Sequence, residues 1–229
     1  MIYITGDTHG DFSIIEGFCC HNETTTDDVL IILGDAGINY FGEPHDRSLK
    51  KELSDYPITL FCVHGNHEMR PESIDSYKEV EYSGGIVYME VAFPNLLFAK
   101  DGEIFEFNGK SCVVVGGAYS IDKAIRILNG WGWWDDEQPS EEIKKRVVER
   151  LGAENWSVDI VLSHTCPFKY MPTEAFLPGI DQNYVCNETE EWLDTIEEKL
   201  NYSRWYCGHF HIEKEIHKMR FLYRSIIVT

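Results

Sequence analysis

The first half of the chain alternates short apolar runs with polar turns. The runs at 2–5, 29–33 and 58–63 are apolar apart from Thr5 and Thr59, and each is followed by glycine with a carboxylate, imidazole or amide side chain. Strands that are apolar on both faces belong to sheets covered by helices on both sides. The segments at about 11–21 and 44–56 predict such helices. This rhythm predicts an α/β sheet whose strands end at one edge, where ligands bind in such folds.

From residue 84 onward the pattern becomes richer in strands. Apolar runs predict strands at 86–91, 96–99, 103–107, 111–115, 158–162 and 202–207, and strand-like segments follow around Ile216 and at 220–228. Asn108 and Gly109 separate two of these runs, and Asn-Gly between alternating apolar residues is a strong hairpin signal. Capping and periodicity predict helices over about 140–151 and 189–200. The proline-containing stretch 166–187 predicts a long irregular loop.

The composition predicts one globular domain over residues 1–229. That length allows a sizeable core, and 43% hydrophobic with 13% aromatic residues is too rich for disorder. Twenty basic against 39 acidic side chains give a net charge of −19, which argues against a broad surface for nucleic acid or anionic membrane. No apolar run is long enough to cross a bilayer, so we expect a cytoplasmic protein without a membrane partner. Nothing in the sequence indicates an oligomeric state.

The seven cysteines are scattered without a CxxC pair. This spacing argues against a disulfide framework and against a zinc site built from cysteine. Any metal site must therefore use oxygen and imidazole ligands.

Eight polar side chains stand where apolar runs end. They are Asp7, His9, Asp35, Asn66, His67, His164, His209 and His211. An aspartate alone in such a place usually caps a turn or helix, and a lone histidine is usually a surface or core residue. Together they form a set of oxygen and nitrogen donors that fits a pair of divalent ions. Such a set suits manganese, iron, zinc or nickel, and manganese is our first choice.

The donors divide into two groups. Asp7, His9 and His211 could hold one ion. Asn66, His164 and His209 could hold the other, and Asp35 could lie between the two. The assignment requires the first and last motifs of the chain to meet in space.

The ordered motifs DxH, GD, GNHE, a single histidine and GHxH, from Asp7 to His211, resemble those of the calcineurin-like metallophosphoesterase superfamily. The resemblance implies a four-layered αββα sandwich, with two mixed β-sheets flanked by helices and the metals at the C-terminal strand edge. It implies that Asp35 bridges the ions and that His67 is a general acid or charge stabiliser. It also implies hydrolysis of a phosphomonoester or phosphodiester, such as a small organic phosphate or nucleotide, by a metal-bridging hydroxide.

The second motif departs from that of the superfamily's Ser/Thr protein phosphatases. Those enzymes read GDxxDRG, whereas this chain reads GDAGINY, so Ile38 and Asn39 replace an acid that orients the catalytic histidine and an arginine that grips phosphate. His64 stands where they carry another arginine. The departures argue against a phosphoprotein phosphatase. We assign His64 and Asn66 to the substrate side of the site.

The stretch 118–136 has two interpretations. It carries Asp122, Lys123, Arg126, Trp131, Trp133 and Trp134. In the first interpretation, an amphipathic helix at 121–128 packs with tryptophans in the core. In the second, the stretch is a lid over the metals, in which Arg126 grips phosphate and a tryptophan stacks on the leaving group.

Two alternatives to a small-molecule phosphoesterase remain open. A nuclease would use the same metals, although a charge of −19 offers little to attract a polyanion. A non-catalytic metal-binding scaffold for a protein partner could keep the fold. A decayed member of that kind would be expected to lose ligands, whereas His67 and every proposed ligand are present here. The preferred hypothesis is an enzyme acting on a small phosphorylated substrate.

Overall fold

The computed structural model describes residues 1–229, which form thirteen strands and five α-helices. The strands are β1 (Ile2–Thr5), β2 (Val29–Ile32), β3 (Thr59–Cys62), β4 (Lys78–Tyr82), β5 (Gly85–Met89), β6 (Leu96–Ala99), β7 (Ile104–Phe107), β8 (Lys110–Val115), β9 (Ile160–Ser163), β10 (Arg204–Cys207), β11 (Lys214–Ile216), β12 (Met219–Phe221) and β13 (Ile227–Val228). The helices are α1 (Ser13–Asn22), α2 (His45–Ser54), α3 (Lys123–Asn129), α4 (Glu141–Ala153) and α5 (Glu188–Glu197).

The strands form two mixed sheets. The first has seven strands in the order β13-β1-β2-β3-β6-β5-β4, and the second has six in the order β11-β12-β10-β9-β8-β7. Strands β1, β2, β3 and β6 are parallel in the first sheet, and β8, β9, β10 and β12 are parallel in the second. Antiparallel strands complete both sheets at their edges.

Three apolar clusters fill the spaces between the layers. The central cluster of 18 buried residues joins the inner faces of the sheets, with Phe61 from the first packed against Phe105 from the second. A second cluster places Ile15 of α1 and Leu53 of α2 on the outer face of the first sheet. A third places α4 and α5 on the outer face of the second sheet. The order of layers is therefore α, β, β, α, which confirms the predicted fold class.

Most predicted elements are present with shifted ends. The Asn-Gly hairpin is confirmed, since Asn108 and Gly109 join β7 to β8 with φ of 52° and 72°. The 166–187 stretch is a loop with three short 3₁₀ turns. Strand β4 was not predicted, because its sequence KEVEY is mostly charged and lies exposed or half-buried at a sheet edge. No helix is both long and apolar enough to cross a bilayer.

Candidate metal centre

Five strand ends carry polar turns to one edge of the two sheets. In the first sheet, Thr5 pairs with Ile32 and Ile32 pairs with Cys62, so the turns after β1, β2 and β3 are neighbours. In the second, Cys207 pairs with Ser163, so the turns after β10 and β9 are neighbours as well. These turns carry all seven predicted ligands: Asp7, His9, Asp35, Asn66, His164, His209 and His211.

Glycines let the turns approach closely. A Cβ atom on Gly34 would lie 2.1 Å from Nδ1 of His164, and one on Gly65 would lie 2.0 Å from Oδ1 of Asp35. A Cβ atom on Gly208 would lie 2.3 Å from Oδ1 of Asp7. Any larger residue would have to displace the very side chains proposed to bind metal, because these distances are far below van der Waals contact.

Four of the proposed ligands have left-handed backbone conformations. His9, Asp35, His209 and His211 have φ of 47°, 48°, 65° and 50°. Such conformations are uncommon outside glycine, and they cluster at functional sites where surrounding structure holds them in place. Four of the ten non-glycine residues with positive φ are thus proposed ligands.

The first proposed ligand group joins the two ends of the chain. Nε2 of His9 and Nε2 of His211 are 2.9 Å apart, and Nε2 of His211 is 3.3 Å from Oδ2 of Asp7. The nearby Asp7 carboxylate raises the pKa of His211. Oδ2 of Asp7 is buried and makes no well-formed hydrogen bond beyond this approach of His211, which is costly for a carboxylate oxygen. A shared cation would neutralise this oxygen and accept both imidazole nitrogens, so these residues fit a metal ion.

The second proposed group lies deeper. Nε2 of His164 is 2.8 Å from Oδ1 of Asn66 and 3.5 Å from Oδ1 of Asp35, while Nδ1 of His164 is 2.7 Å from the carbonyl oxygen of Leu33. If Nδ1 donates to that carbonyl, Nε2 is left as an acceptor that can bind metal. The ring of His209 is 5.0 Å from that of His164, and burial lowers the pKa of His209 to about 3, which keeps its imidazole neutral.

Asp35 belongs to both sides of the cluster. Its carboxylate lies within 4.8 Å of possible metal-ligating atoms of Asp7 and His164 in one group. In a second group, it lies within the same distance, 4.8 Å, of such atoms of His9 and His67. Burial raises the pKa of Asp35, but the surrounding histidines His164, His67 and His9 outweigh burial and hold that pKa well below its ordinary value. An ionised carboxylate between two donor groups is the arrangement that a bridging ligand requires.

A protein-family model describing calcineurin-like phosphoesterases matches residues 1–213. The chain belongs to the calcineurin-like phosphoesterase family. It is therefore a metal-dependent phosphoesterase, and the expectation drawn from its motifs is confirmed at that level. The family typically uses two metal ions, and the carboxylate and histidine clusters described above are the candidate sites for them.

Solved structures of low sequence identity resemble this phosphoesterase. One is the phosphopantetheinyl hydrolase PptH from Mycobacterium tuberculosis, with 14% identity, a TM-score of 0.49, and coverage of 97% of this chain and 87% of that one. Another is the protein of unknown function AQ665 from Aquifex aeolicus, with 16% identity, a TM-score of 0.30, and coverage of 72% and 80%. No curated protein matches the sequence.

The structure places two predicted substrate residues of the phosphoesterase away from the open site. His64 is 2% exposed, its ring nitrogens have no hydrogen-bond partner, and burial holds its pKa well below the ordinary value. Arg126 is fully buried and donates to the carbonyl oxygens of Gly132 and Asn66 and to Oγ of Ser120. Neither side chain lines the cavity beside the metal cluster. Arg126 instead stabilises the turn that contains Asn66, through its hydrogen bond to the Asn66 carbonyl oxygen.

The tryptophans of the 118–136 stretch neither fill the core nor line the cavity. Trp131 is exposed, and Trp133 lies under Nζ of Lys123 and donates its Nε1–H to Glu137. Trp134 packs against Tyr40. The stretch does border the cavity through Tyr119, Ile121 and Asp122. Its role as a lid remains a prediction.

The roles of two residues near the centre were not predicted from the sequence. Oγ of Ser120 accepts hydrogen bonds from Nδ2 of Asn66 and from Arg126, each at 2.9 Å. Oδ1 of Asp122 lies 3.8 Å from Nε2 of His67. The second motif supplies no acid for this histidine, because Ile38 stands at that position. A serine in a loop carries no sequence signal for such a role, and the position of Asp122 depends on how its loop folds back.

A cavity of about 580 Å³ opens beside the cluster. His9, Asp35, Asn66, His67, His209 and His211 form the end that faces the proposed metals. The remaining walls come from residues 119–122, the 171–190 region, Phe210 and Ile212. No lysine or arginine lines it.

Proposed function

We propose that this phosphoesterase hydrolyses phosphomonoesters or phosphodiesters of small organic molecules, using two divalent ions with manganese as the first choice. The observation that carries the proposal is the meeting of Asp7, His9 and His211, whose ligand atoms lie within 4.8 Å of one another although they come from opposite ends of the sequence. The absence of thiolate from the donor set favours manganese or a similar ion.

The proposed ligands keep the division drawn from the sequence. Asp7, His9 and His211 would hold one ion, Asn66, His164 and His209 the other, and Asp35 would be shared. When bound, two such ions would polarise the phosphoryl oxygens and lower the pKa of a bound water toward neutrality. The protein contributes the fixed positions of these side chains, which strained turns and close glycine contacts maintain.

His67 is the proposed proton donor to the leaving group. It lines the cavity, and its backbone N–H donates to Oδ1 of Asp35 at 2.7 Å. Burial lowers the pKa of His67, which makes its protonated form a stronger acid while reducing the fraction protonated near neutral pH. In the reaction, a bond forms from water oxygen to phosphorus while the bond from phosphorus to the ester oxygen breaks. That oxygen keeps the electron pair of the broken bond and takes a proton from His67. The attacking water gives up one proton to solvent and His67 regains one from solvent, so the net reaction consumes one water.

The lining of the cavity disfavours a nuclease. A polyanionic substrate needs cationic side chains along its path, and no lysine or arginine lines the cavity. The net charge of −19 adds to this disadvantage. We also propose that residues 1–229 form one domain, because the central cluster joins Ile2 near one end to Leu222 near the other.

A substrate panel tests the proposed reaction. Chelated protein is reloaded with manganese and incubated with para-nitrophenyl phosphate, bis-para-nitrophenyl phosphate and a cyclic nucleotide. We expect metal-dependent turnover of at least one. No turnover by protein that elemental analysis shows to hold two ions would favour the scaffold alternative.

The shared role of Asp35 has its own test. Asp35→Asn is expected to weaken metal binding by about 10-fold to 100-fold or more, because the variant loses a charged ligand oxygen. Metal content after dialysis at defined free manganese measures this change. Asp27→Asn is the matched control, because Asp27 is exposed and precedes β2, at the opposite end of that strand from Asp35. Two ions bound at normal affinity in Asp35→Asn would rule out the bridging assignment.

A further inference from the structure

The cavity beside the proposed metals is much larger than a phosphoryl group needs. Its volume of about 580 Å³ falls within the range of about 300–1,000 Å³ typical of sites for small organic ligands. The metal cluster occupies one end only. The rest of the volume is therefore available to the alcohol part of an ester, which becomes the leaving group.

The walls of this second part are largely apolar. Ile121, Met171, Phe176, Leu177, Val185 and Ile212 line it. Such walls favour the burial of alkyl or aryl surface. Since the only charged side chains beyond the metal end are Asp122 and Glu190, a second phosphate or carboxylate on the leaving group would find no cationic partner.

Glu190 borders this apolar wall and carries one unpaired carboxyl oxygen. The residue is 4% exposed, and its Oε1 accepts the hydroxyl of Thr165 at 2.7 Å. Its Oε2 is buried and has no hydrogen-bond partner in the protein. Buried carboxyl oxygens are normally bonded, so an unpaired one on a cavity-lining residue favours a ligand with an N–H or O–H donor, which a small rotation of the carboxyl group would bring into reach.

We propose that this cavity is the leaving-group subsite and that it selects esters of apolar alcohols that carry no anionic group and have one N–H or O–H donor for Oε2 of Glu190. The inference rests on the proposed phosphoesterase function and narrows its substrate class. It excludes nucleotides with further phosphates as good substrates. Glu190 is a specificity residue that contacts the leaving group, away from the phosphorus.

Three esters of equal chain length test the subsite. They are hydroxyhexyl phosphate, which has a neutral donor, hexyl phosphate, which has none, and carboxypentyl phosphate, which has an anionic end. If the panel above shows a diesterase, their methyl diesters are used. We expect kcat/KM to fall in that order, with about 10-fold between the first and second esters because a hydrogen bond to the Glu190 carboxyl group is lost.

Variants separate the contact from general effects. Glu190→Gln keeps the shape but turns an acceptor into a donor at one oxygen position, so the preference for hydroxyhexyl over hexyl phosphate should fall about 10-fold. Leu177→Lys, at an exposed cavity residue, should raise kcat/KM for carboxypentyl phosphate about 3-fold. Glu191→Gln, at the exposed neighbour on α5, should change none of these values.

A binding measurement tests the subsite proposal independently of the hydrolysis reaction. Isothermal titration calorimetry with the phosphonate analogues of the three esters should give the same order of affinity. Absence of turnover for every ester would contradict the proposed function, while the calorimetric order would still decide the subsite. Equal affinity for all three analogues, or the tightest binding for the carboxypentyl one, would overturn the subsite proposal.

Discussion

Arg126 is a buried cation directly beneath the Asn66 turn. Its Nη1 donates to the carbonyl oxygen of Asn66 at 3.3 Å and to Oγ of Ser120 at 2.9 Å, while its Nε donates to Gly132 at 2.7 Å. Ser120 in turn accepts from the Asn66 side chain. The guanidinium therefore fixes both the backbone and the amide of a proposed ligand.

Replacing Arg126 should affect stability and metal binding together. Arg126→Ala is expected to lower the free energy of unfolding by about 3 kcal/mol, because it leaves buried acceptors unpaired. Urea denaturation of the metal-free protein measures this loss, and elemental analysis should show weaker metal binding. Arg126→Lys keeps the charge but not the fork of donors, so an intermediate loss is expected. A raised KM with unchanged stability and metal content would instead support the lid interpretation.

At the scale of single residues, the sequence identifies those that belong to a short motif after an apolar run. Asp7 and His9 are recognisable because they follow an apolar run and belong to a motif. Arg126 could be found but not placed, since its partners are set by how the loop after β8 folds. Glu190 gave no signal, because its unpaired oxygen exists only once the cavity walls are assembled around it.

Strand ends are the elements that assemble the centre, and their glycines set how closely they meet. Gly208→Ala is expected to weaken metal binding at least about 10-fold, because the new Cβ would lie 2.3 Å from Oδ1 of Asp7. Metal titration measures the loss. Gly152→Ala in α4 is the control, since its Cβ would meet no atom within 4 Å. There the added methyl should raise stability by roughly 0.5 kcal/mol. Equal metal affinity in both variants would contradict this account of the turn.

Glu197 joins helix α5 to the loop that forms a cavity wall. It accepts from Nζ of Lys169 at 2.6 Å and from the hydroxyl of Tyr202 at 2.8 Å. Burial raises the pKa of Glu197, but the hydrogen bonds from Lys169 and Tyr202 outweigh burial and hold the pKa below its ordinary value. The folded protein thus binds this proton less readily than the unfolded chain.

A depressed pKa makes this contribution depend on pH. The stabilisation is fully present above the ordinary glutamate pKa of about 4.3 and is lost as pH falls through the lower folded value. Glu197→Gln should therefore cost at most about 1 kcal/mol at pH near 7, since the pair is partly hydrated. The difference from wild type should shrink in acid. Urea denaturation near pH 7 and in acid measures this difference in stability, with Glu198→Gln at an exposed position as the control. A difference that grows in acid would refute the sign.

Elements with a clear apolar period were predictable, and those without one were not. The runs at β1, β2 and β3 are continuous and buried, so burial alone identifies them. Strand β4 has charged residues at three of its five positions, and pairing with β5 makes it a strand. Its state is decided by a neighbour rather than by its own sequence.

At the scale of the whole molecule, the proposed ions connect the two sheets. Adding manganese at about 100 times its dissociation constant should stabilise chelated protein by about 2.7 kcal/mol for each ion bound. For a chain of this size, that corresponds to a rise in Tm of roughly 5–10 °C. Differential scanning calorimetry measures the shift, which His211→Gln should reduce because it removes a donor from the second sheet's side. An unchanged Tm with manganese bound would contradict this link.

The layered architecture was predictable from motifs, whereas the order of strands was not. Alternating strands and helices predict a covered sheet, and the family resemblance supplies the second sheet. The return of β13 to pair with β1 depends on contacts between opposite ends of the chain. Short-range patterns carry no information about such pairings, because any exposed strand edge could accept the last strand.

The distance in sequence between the two ends of the cluster is also a distance in time. His9 and His211 are 202 positions apart, which at about 5–20 residues per second amounts to roughly 10–40 s of synthesis. Throughout that interval Asp7 and His9 have been made without His211. The proposed ligand set is therefore complete only near the end of synthesis, and a chain that stops before residue 209 lacks His209 and His211 from the proposed metal pair.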